Sequence, residues 1–254
     1  MRTLIRYVLL TALRDRLFVA LPAVMIMAFM ISSVLSRTSM IEEQAMQATF
    51  VAGTFRLILA LGTAVFVCFH VRQAFDAKEI DVMLSRPISR ASLILSYWLG
   101  FSIVATLSTI IAIVFIFLSG PVTWDGFGVW ILSWIVELWV VVAIALFASI
   151  TLRSAVISVI FSMTLYVLSR LMGYFLATIK SRLVFDSVIM NEISRYSIKG
   201  LAIFVPRLDM FAKTSWLTQG IANANEVLLF AAQGIVIIPL LLAVAIIDFY
   251  RRQF

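Results

Sequence analysis

Long apolar runs constrain this chain more than any other feature, because they recur along it with very few charged residues inside them. A helix needs about 20 mostly apolar residues to cross the hydrocarbon core of a membrane. The composition agrees, since 63% of the residues are hydrophobic and 13% are charged, whereas soluble domains are usually about half apolar and a quarter charged. The sequence therefore predicts an all-α membrane protein.

Six runs are long enough to form transmembrane helices. They comprise residues 17–35, 50–71, 91–118, 129–151, 155–177 and 227–247. Only Leu152, Arg153 and Ser154 separate the fourth run from the fifth, so these two helices must form a tight hairpin. We therefore expect a single transmembrane domain of six helices that covers residues 1–254.

Residues 1–16 precede the first run and have a different pattern. Leu4, Ile5, Val8 and Ala12 fall on one stripe of a helical wheel, with arginines mostly off that stripe. An apolar stripe beside basic residues is typical of a helix that lies in the membrane interface. An N-terminal interfacial helix is therefore predicted.

Basic residues fall mostly on one side of the predicted topology, which we take as the cytoplasmic side. That side would hold Arg2, Arg6, Arg14, Arg16, Arg72, Lys78, Arg86, Arg90, Arg153, Arg251 and Arg252. The short outer loops hold Arg37, and the long connection after the fifth helix adds further basic residues, but long connections cross largely regardless of charge. We expect a multi-pass protein of the cell inner membrane with both termini cytoplasmic. The basic residues then contact membrane lipids and set topology, so no nucleic acid partner is expected.

Two connections are longer than a turn requires. The inner one, 72–90, mixes charged residues with a predicted helix over residues 75–85 that Pro87 should end. The outer one, 179–225, contains apolar patches and Pro206. Re-entrant or interfacial helices are predicted within the outer connection.

The sequence carries few signs of catalytic chemistry. Neither GxxxxGK[ST] nor GxGxxG occurs, so the chain is not expected to hydrolyse ATP itself. Its single cysteine, Cys68, and its single histidine, His70, provide too few ligands for a metal site. We therefore predict no enzymatic activity and neither a cofactor nor a metal in this chain.

An intramembrane protease of the type that processes prenylated proteins is an alternative, because Glu42, Glu43 and the Phe66-x-x-x-His70 spacing partly match its motifs. The position that should carry arginine is Gln47, and there is no second histidine. The acidic pair also falls across the predicted bilayer from His70. We therefore regard this protease as a weaker alternative.

Three charged residues fall within the predicted membrane helices, namely Arg56, Glu137 and Arg170. Burying a charge in a bilayer costs about 2.5–3.5 kcal/mol on insertion scales. Glu137 could line a substrate path or act as a switch, or it could form a structural pair with one of the arginines. The arginines lie nearer the outer surface, where extending the side chain to the interface is the alternative.

Aromatic side chains cluster around the outer end of the fourth run: Trp124, Phe127, Trp130, Trp134 and Trp139. Such a cluster predicts an aromatic belt at the membrane interface. A lining for the route of a lipid-like substrate is the alternative.

The inner connection also carries a family resemblance. Residues 79–90, EIDVMLSRPISR, resemble the cytoplasmic coupling segment of ABC-2 type permeases, which has an acidic residue, a short apolar stretch and a Pro-Ser-Arg-like turn. Residues 205–211, VPRLDMF, are similar to the proline-centred segment between the last two helices of those permeases. The hairpin at 151–154 resembles their short second cytoplasmic connection.

This resemblance implies the permease subunit of an ABC exporter. Its partners would be a second permease copy, identical or different, and an ABC ATPase that binds the ATP and magnesium. Residues for ATPase coupling would be Phe75, Asp76, Glu79, Val82, Met83, Arg86, Pro87 and Arg90, and the outer motif would include Pro206 and Asp209. Because no central helix is rich in polar residues, a lipid-like or amphipathic cargo is favoured, with peptides, drugs and polysaccharide precursors left open. A membrane scaffold or assembly factor unrelated to ABC transporters is the alternative.

Overall fold

The computed structural model describes residues 2–36, 43–85, 89–119, 123–181, 192–193, 196–198, 200–202, 205–220 and 224–251. The larger elements in these ranges are helical: α1 (Arg2–Arg14), α2 (Arg16–Ser36), α3 (Glu43–Asp76), α4 (Glu79–Leu84), α5 (Arg90–Leu118), α6 (Trp124–Thr151), α7 (Ala155–Ser181), a 3-10 helix (Leu208–Met210), α8 (Ser215–Gln219) and α9 (Ala224–Arg251). The ranges contain no β-strand. The predicted all-α fold is therefore confirmed for the described residues.

Five of these helices are long and apolar enough to cross a membrane. They are Gln47–Asp76, Arg90–Leu118, Trp124–Thr151, Ala155–Thr178 and Asn225–Arg251. The first predicted crossing, 17–35, falls in α2, whose apolar part Ala20–Leu35 is shorter than these five helices. The structure thus supports a multi-pass membrane protein with five such helices, and the sixth crossing stays a prediction.

Two helices begin at least five residues before the apolar runs that predicted them. Helix α3 begins at Glu43 rather than near residue 50, and α6 begins at Trp124 rather than near residue 129. A helix longer than the hydrocarbon thickness can tilt or continue into the interface. Apolar runs therefore locate these helices but underestimate their length.

Helix α6 occupies the centre of the bundle, where it packs against α3, α5, α7 and α9. Its residues 140–146 are all buried, as expected for a helix that is covered on every side. Helices α7 and α9 instead keep exposed apolar faces, which include Ile160 and Leu228. They lie at the periphery, where a membrane protein meets lipid.

One face of α7 consists of small polar residues. Ser158, Ser162 and Ser169 are buried, and each hydroxyl donates to the carbonyl oxygen four residues earlier in the chain at 2.6–2.8 Å, which for Ser158 is that of Ser154 just before α7. The Ser158 hydroxyl also lies 3.2 Å from the carbonyl oxygen of Ala148 in α6. Small residues allow helix backbones to approach closely in a membrane, so α7 packs tightly with few hydrogen bonds to its neighbours.

The bundle has two distinct ends. Helix α1, helix α4 and the last turn of α9 lie together at one end, which we call the termini end. Helix α1 packs against α5 and buries Leu4, Val8 and Ala12, three residues of the predicted apolar stripe. The beginnings of α3, α6 and α9 lie at the opposite end.

Candidate functional site

Residues 205–217, which we call the inserted segment, contact α3, α6, α7 and α9 near the opposite end. The segment contains the 3-10 helix and the start of α8. Leu208, Phe211, Trp216 and Leu217 are at most 1% exposed. This part of the outer connection is therefore embedded among the membrane helices.

The backbone of the inserted segment is strained at Ala212, whose φ is 42°. For a residue with a Cβ atom, left-handed backbone costs about 1–2 kcal/mol. Both backbone polar groups of Ala212 are bound. Its N–H donates to Ser133 Oγ at 2.9 Å, and its carbonyl oxygen accepts from Trp130 Nε1 at 3.1 Å and from Arg56 Nη2. The surrounding helices thus hold the strained turn in place.

A second arginine binds the same segment from another helix. Arg170 Nη1, in α7, donates to the carbonyl oxygens of Leu208 at 2.6 Å and Phe211 at 3.0 Å. Together with the bond from Arg56 in α3, three backbone carbonyls of the inserted segment accept from guanidinium groups. Buried carbonyl groups need such partners, because leaving them unpaired away from water is costly.

Glu137 of α6 lies between the two arginines and is fully buried. Its Oε2 is 3.5 Å from Arg56 Nε, its Oε1 is 3.5 Å from Arg170 Nη1, and Tyr166 donates its hydroxyl to Oε1 at 3.0 Å. At an effective dielectric constant of about 20, each ion pair contributes about 5 kcal/mol of Coulomb attraction. This attraction offsets a desolvation cost of several kcal/mol per ion.

The structure therefore brings together the three charged residues that the sequence singled out. Of the alternatives for Glu137, it shows pairing with both arginines rather than with one. Arg56 is only 4% exposed, so its side chain does not extend to the surface. The two arginines and one carboxylate leave one excess positive charge in this buried cluster, which lies against the carbonyl dipoles of the inserted segment.

The predicted outer motif belongs to the same region. Pro206 is buried, and Asp209 forms an ion pair with Arg207 at 3.0 Å. The Asp209 side chain also lies against Gly173 of α7, where an added Cβ would come within 2.8 Å of Asp209 Cβ. Glycine at position 173 thus allows the inserted segment to approach α7 closely.

Trp130, Trp134 and Ser133 line α6 beside this cluster. Trp130 and Trp134 are fully buried with ring centres 4.9 Å apart, so the prediction that they belong to an interface belt is wrong. The spacing of Trp130, Trp134 and Glu137 places all three on one face of α6, so the sequence alone could have indicated a site there. Trp124, by contrast, is 74% exposed at the start of the same helix.

At the termini end, the predicted coupling connection forms two elements rather than one helix over residues 75–85. Phe75 and Asp76 complete α3, and the chain then turns at Lys78, whose φ is 55°. Helix α4 follows from Glu79 to Leu84. The left-handed residue breaks the direction of α3, which sets α4 apart as a separate short helix.

Two side-chain hydrogen bonds, together with the burial of Ile80, attach α4 to the bundle. The Tyr7 hydroxyl of α1 donates to Glu79 Oε2 at 3.0 Å, and the Tyr97 hydroxyl of α5 donates to Met83 Sδ at 3.8 Å. Burial raises the pKa of the Tyr7 phenol, and the hydrogen bond and charge of Glu79 raise it further, so Tyr7 remains a donor at neutral pH. Val82 is 63% exposed.

Of the other predicted coupling residues, Phe75 contacts a neighbouring helix and Asp76 pairs within α3. The Phe75 ring lies 6.2 Å from the ring of Phe249, and Asp76 pairs with Arg72 at 2.6 Å. Arg86 and Pro87 lie outside the described residues.

Arg90 connects the start of α5 to the end of α9. Its Nη1 donates to the carbonyl oxygens of Phe249 at 3.2 Å and Tyr250 at 3.3 Å. The last carbonyls of a helix have no partner within that helix, and a cation there is favourable. Arg90 thus caps α9 and ties it to α5 at the termini end.

His70 is surrounded by the rings of Tyr7, Phe66, Tyr97 and Phe101, with centre distances of 5.4–6.3 Å. Its Nε2 is buried without a hydrogen-bond partner among the described residues. Because α3 is continuous from Glu43, the helical rise separates residue 43 from His70 by about 40 Å. Within the described ranges, no group of three or more His, Cys, Asp or Glu residues could hold a metal.

The chain matches no protein-family model and no curated protein. The inserted segment and α4 are therefore the features of this chain that bear on its function.

Proposed function

We propose that this chain is the membrane subunit of an ABC-2 type exporter, in which a separate ATPase binds ATP and magnesium and drives a substrate outward. The observation that carries this proposal is the short helix α4, which lies between α3 and α5 at the termini end. Its sequence resembles that of a coupling helix, the element through which a soluble ATPase moves membrane helices, and its position at the end of α3 is compatible with that role.

The contacts of α4 suit this role. A coupling element must offer an exposed apolar contact to its partner, and charged neighbours around it favour the correct orientation. Val82 and Asp81 are both exposed on α4. The contacts made by Tyr7 and Tyr97 connect α4 to α1 and α5, so a displacement of α4 is transmitted to the membrane helices.

Glu79 has a role inside the chain as well. Since it accepts a hydrogen bond from Tyr7, reversing its charge would disturb the attachment of α4 together with any contact to a partner. Val82 tests ATPase docking more cleanly, because its side chain is largely exposed.

The test compares Val82→Asp with Ala77→Asp, which adds the same charge at an exposed residue of the turn before α4. The tagged chain is purified from membranes, co-purifying Walker-motif ATPase is quantified, and ATP hydrolysis by the complex is measured. We expect Val82→Asp to reach the membrane in the same amount as wild type but to reduce the recovery of ATPase at least tenfold. Recovery with Ala77→Asp should be close to that of wild type. Equal recovery in all three proteins, or no ATPase in any of them, would favour a scaffold over an exporter.

Orientation is part of the proposal, with both termini cytoplasmic and the protein in the inner membrane as one of two permease copies. Single cysteines are introduced at Ser85 and Ser197, both exposed, in a Cys68→Ser background. In intact cells an impermeant thiol reagent should label the cysteine at 197 and spare the one at 85. The reverse labelling pattern contradicts the orientation.

A further inference from the structure

Arg56 and Arg170 do more than stabilise the inserted segment. We infer that they form a binding site for an anionic group, a phosphate or carboxylate, which the backbone of the inserted segment occupies in this conformation. On this view the segment leaves the site when the anion enters. The identification of the anion as part of an exported substrate rests on the proposed function, whereas the site itself does not.

Hydrogen-bond donors from three helices converge on the backbone of the inserted segment. Arg56 and Trp130 donate to the carbonyl oxygen of Ala212, and Arg170 donates to the preceding carbonyl, that of Phe211. Two adjacent oxygens therefore receive N–H groups from α3, α6 and α7. Guanidinium groups are suited to the paired oxygens of carboxylates and phosphates, and such charge-assisted bonds are about twice as strong as neutral ones.

The net charge of the buried cluster also favours an anion. The cluster of Arg56, Arg170 and Glu137 carries one excess positive charge, and Arg56 and Glu137 are almost completely buried. Carbonyl dipoles solvate this charge but do not neutralise it. An anion in their place would neutralise the cluster, which is the favourable arrangement for charges held away from water.

The inserted segment, which occupies the site in this conformation, can also leave it. The strained backbone at Ala212 raises the free energy of the inserted conformation. The segment contains only a three-residue 3-10 helix and the beginning of the five-residue helix α8. Its withdrawal therefore unwinds none of the five membrane-spanning helices.

The experiment measures binding to the purified full-length chain in detergent by isothermal titration calorimetry. The probes are dioctanoyl phosphatidic acid, dioctanoyl phosphatidylcholine, which has the same acyl chains, and inorganic phosphate. We expect phosphatidic acid to bind at least tenfold more tightly than phosphatidylcholine. Competition by inorganic phosphate at similar concentrations would support the site and assign it to soluble anions, whereas no competition would assign it to a lipid headgroup.

Two variants with opposite expected effects show whether the probe displaces the segment. Ala212→Gly removes the strain of the left-handed backbone, stabilises the inserted conformation and should weaken phosphatidic acid binding about two- to fivefold. Ser133→Ala removes the acceptor of the Ala212 N–H and should strengthen binding by about fivefold. The inference is overturned if both lipids bind with equal affinity. It is also overturned if neither variant changes the affinity for phosphatidic acid, which is the result expected for lipid bound to arginines elsewhere on the surface.

Binding of phosphatidic acid should not depend on ATPase coupling. Val82→Asp should lose the ATPase and keep phosphatidic acid binding. If the ATPase assembles but phosphatidic acid does not bind, the anion site is wrong and the proposed function stands. If phosphatidic acid binds as expected but no ATPase assembles, the site stands and the exporter assignment fails.

Discussion

The inserted segment and helix α4 are short connections near opposite ends of the bundle, and they are held in different ways. The inserted segment is held by its backbone, whose carbonyls accept bonds from buried side chains of α3 and α6 and from a partly buried side chain of α7. Helix α4 is held by its side chains, through the hydrogen bonds of Glu79 and Met83 and the burial of Ile80, with Val82 left exposed. A buried connection must have its backbone polar groups satisfied by the protein, whereas a connection near water can keep a face free for a partner.

The largest effect is expected from removing the carboxylate that supports the inserted segment. Glu137→Gln leaves the buried Arg56 and the partly buried Arg170 without a counter-charge, which should lower the free energy of unfolding by about 3–5 kcal/mol. Asp125→Asn changes an exposed acidic residue at the start of the same helix. It is the matched control and should change the free energy of unfolding by less than about 1 kcal/mol. Thermal unfolding in detergent measures both, and equal midpoints for the two variants would contradict the buried ion pairs.

A smaller effect is expected from moving the inserted segment without changing any charge. At Gly126 an added Cβ would come within 2.9 Å of the carbonyl carbon of Trp216, whereas at Gly128 nothing lies within 4 Å. Gly126→Ala should therefore destabilise by about 1–3 kcal/mol and speed amide hydrogen exchange in the inserted segment. Gly128→Ala should be neutral or stabilising by up to about 1 kcal/mol. Similar exchange rates in the two variants would mean that the segment does not pack against α6 as described.

The smallest effect is expected at α4. Tyr7→Phe removes the hydrogen bond to Glu79 and should cost about 0.5–1.5 kcal/mol, seen as faster amide exchange in residues 79–84 with little change in the unfolding midpoint. Tyr97→Phe should have less effect, because the sulfur of Met83 is a weak acceptor. If Tyr97→Phe loosened α4 more than Tyr7→Phe did, the attachment through α1 would be secondary.

The positions of the spanning helices could be predicted because run length alone decides whether a segment can cross the hydrocarbon core. Helix α5 covers Arg90–Leu118 where 91–118 was predicted, and α7 begins at Ala155 as expected. The beginnings of α3 and α6 were harder to predict, since a helix can continue past its apolar run into the interface.

The members of the charged cluster could also be predicted, since a charge in an apolar run is costly and conspicuous. Their pairing could not, because Arg56, Glu137 and Arg170 lie on three helices whose rotation depends on packing. The turn at Ala212 carries no sequence signal, as alanine has no preference for left-handed backbone and the contacts with Ser133 and Trp130 impose it. Those contacts also explain why Trp130 is buried despite its place near a helix end.

The serine-lined face of α7 has a mechanical consequence. Because the hydroxyls of Ser162 and Ser169 bond within their own helix, α7 can translate along its axis with little loss of bonding at this face. Tyr166 and Arg170, through their contacts with Glu137, resist that shear. We therefore expect resistance to sliding to be concentrated at Glu137, and any axial shift of α7 to carry the inserted segment with it through Arg170.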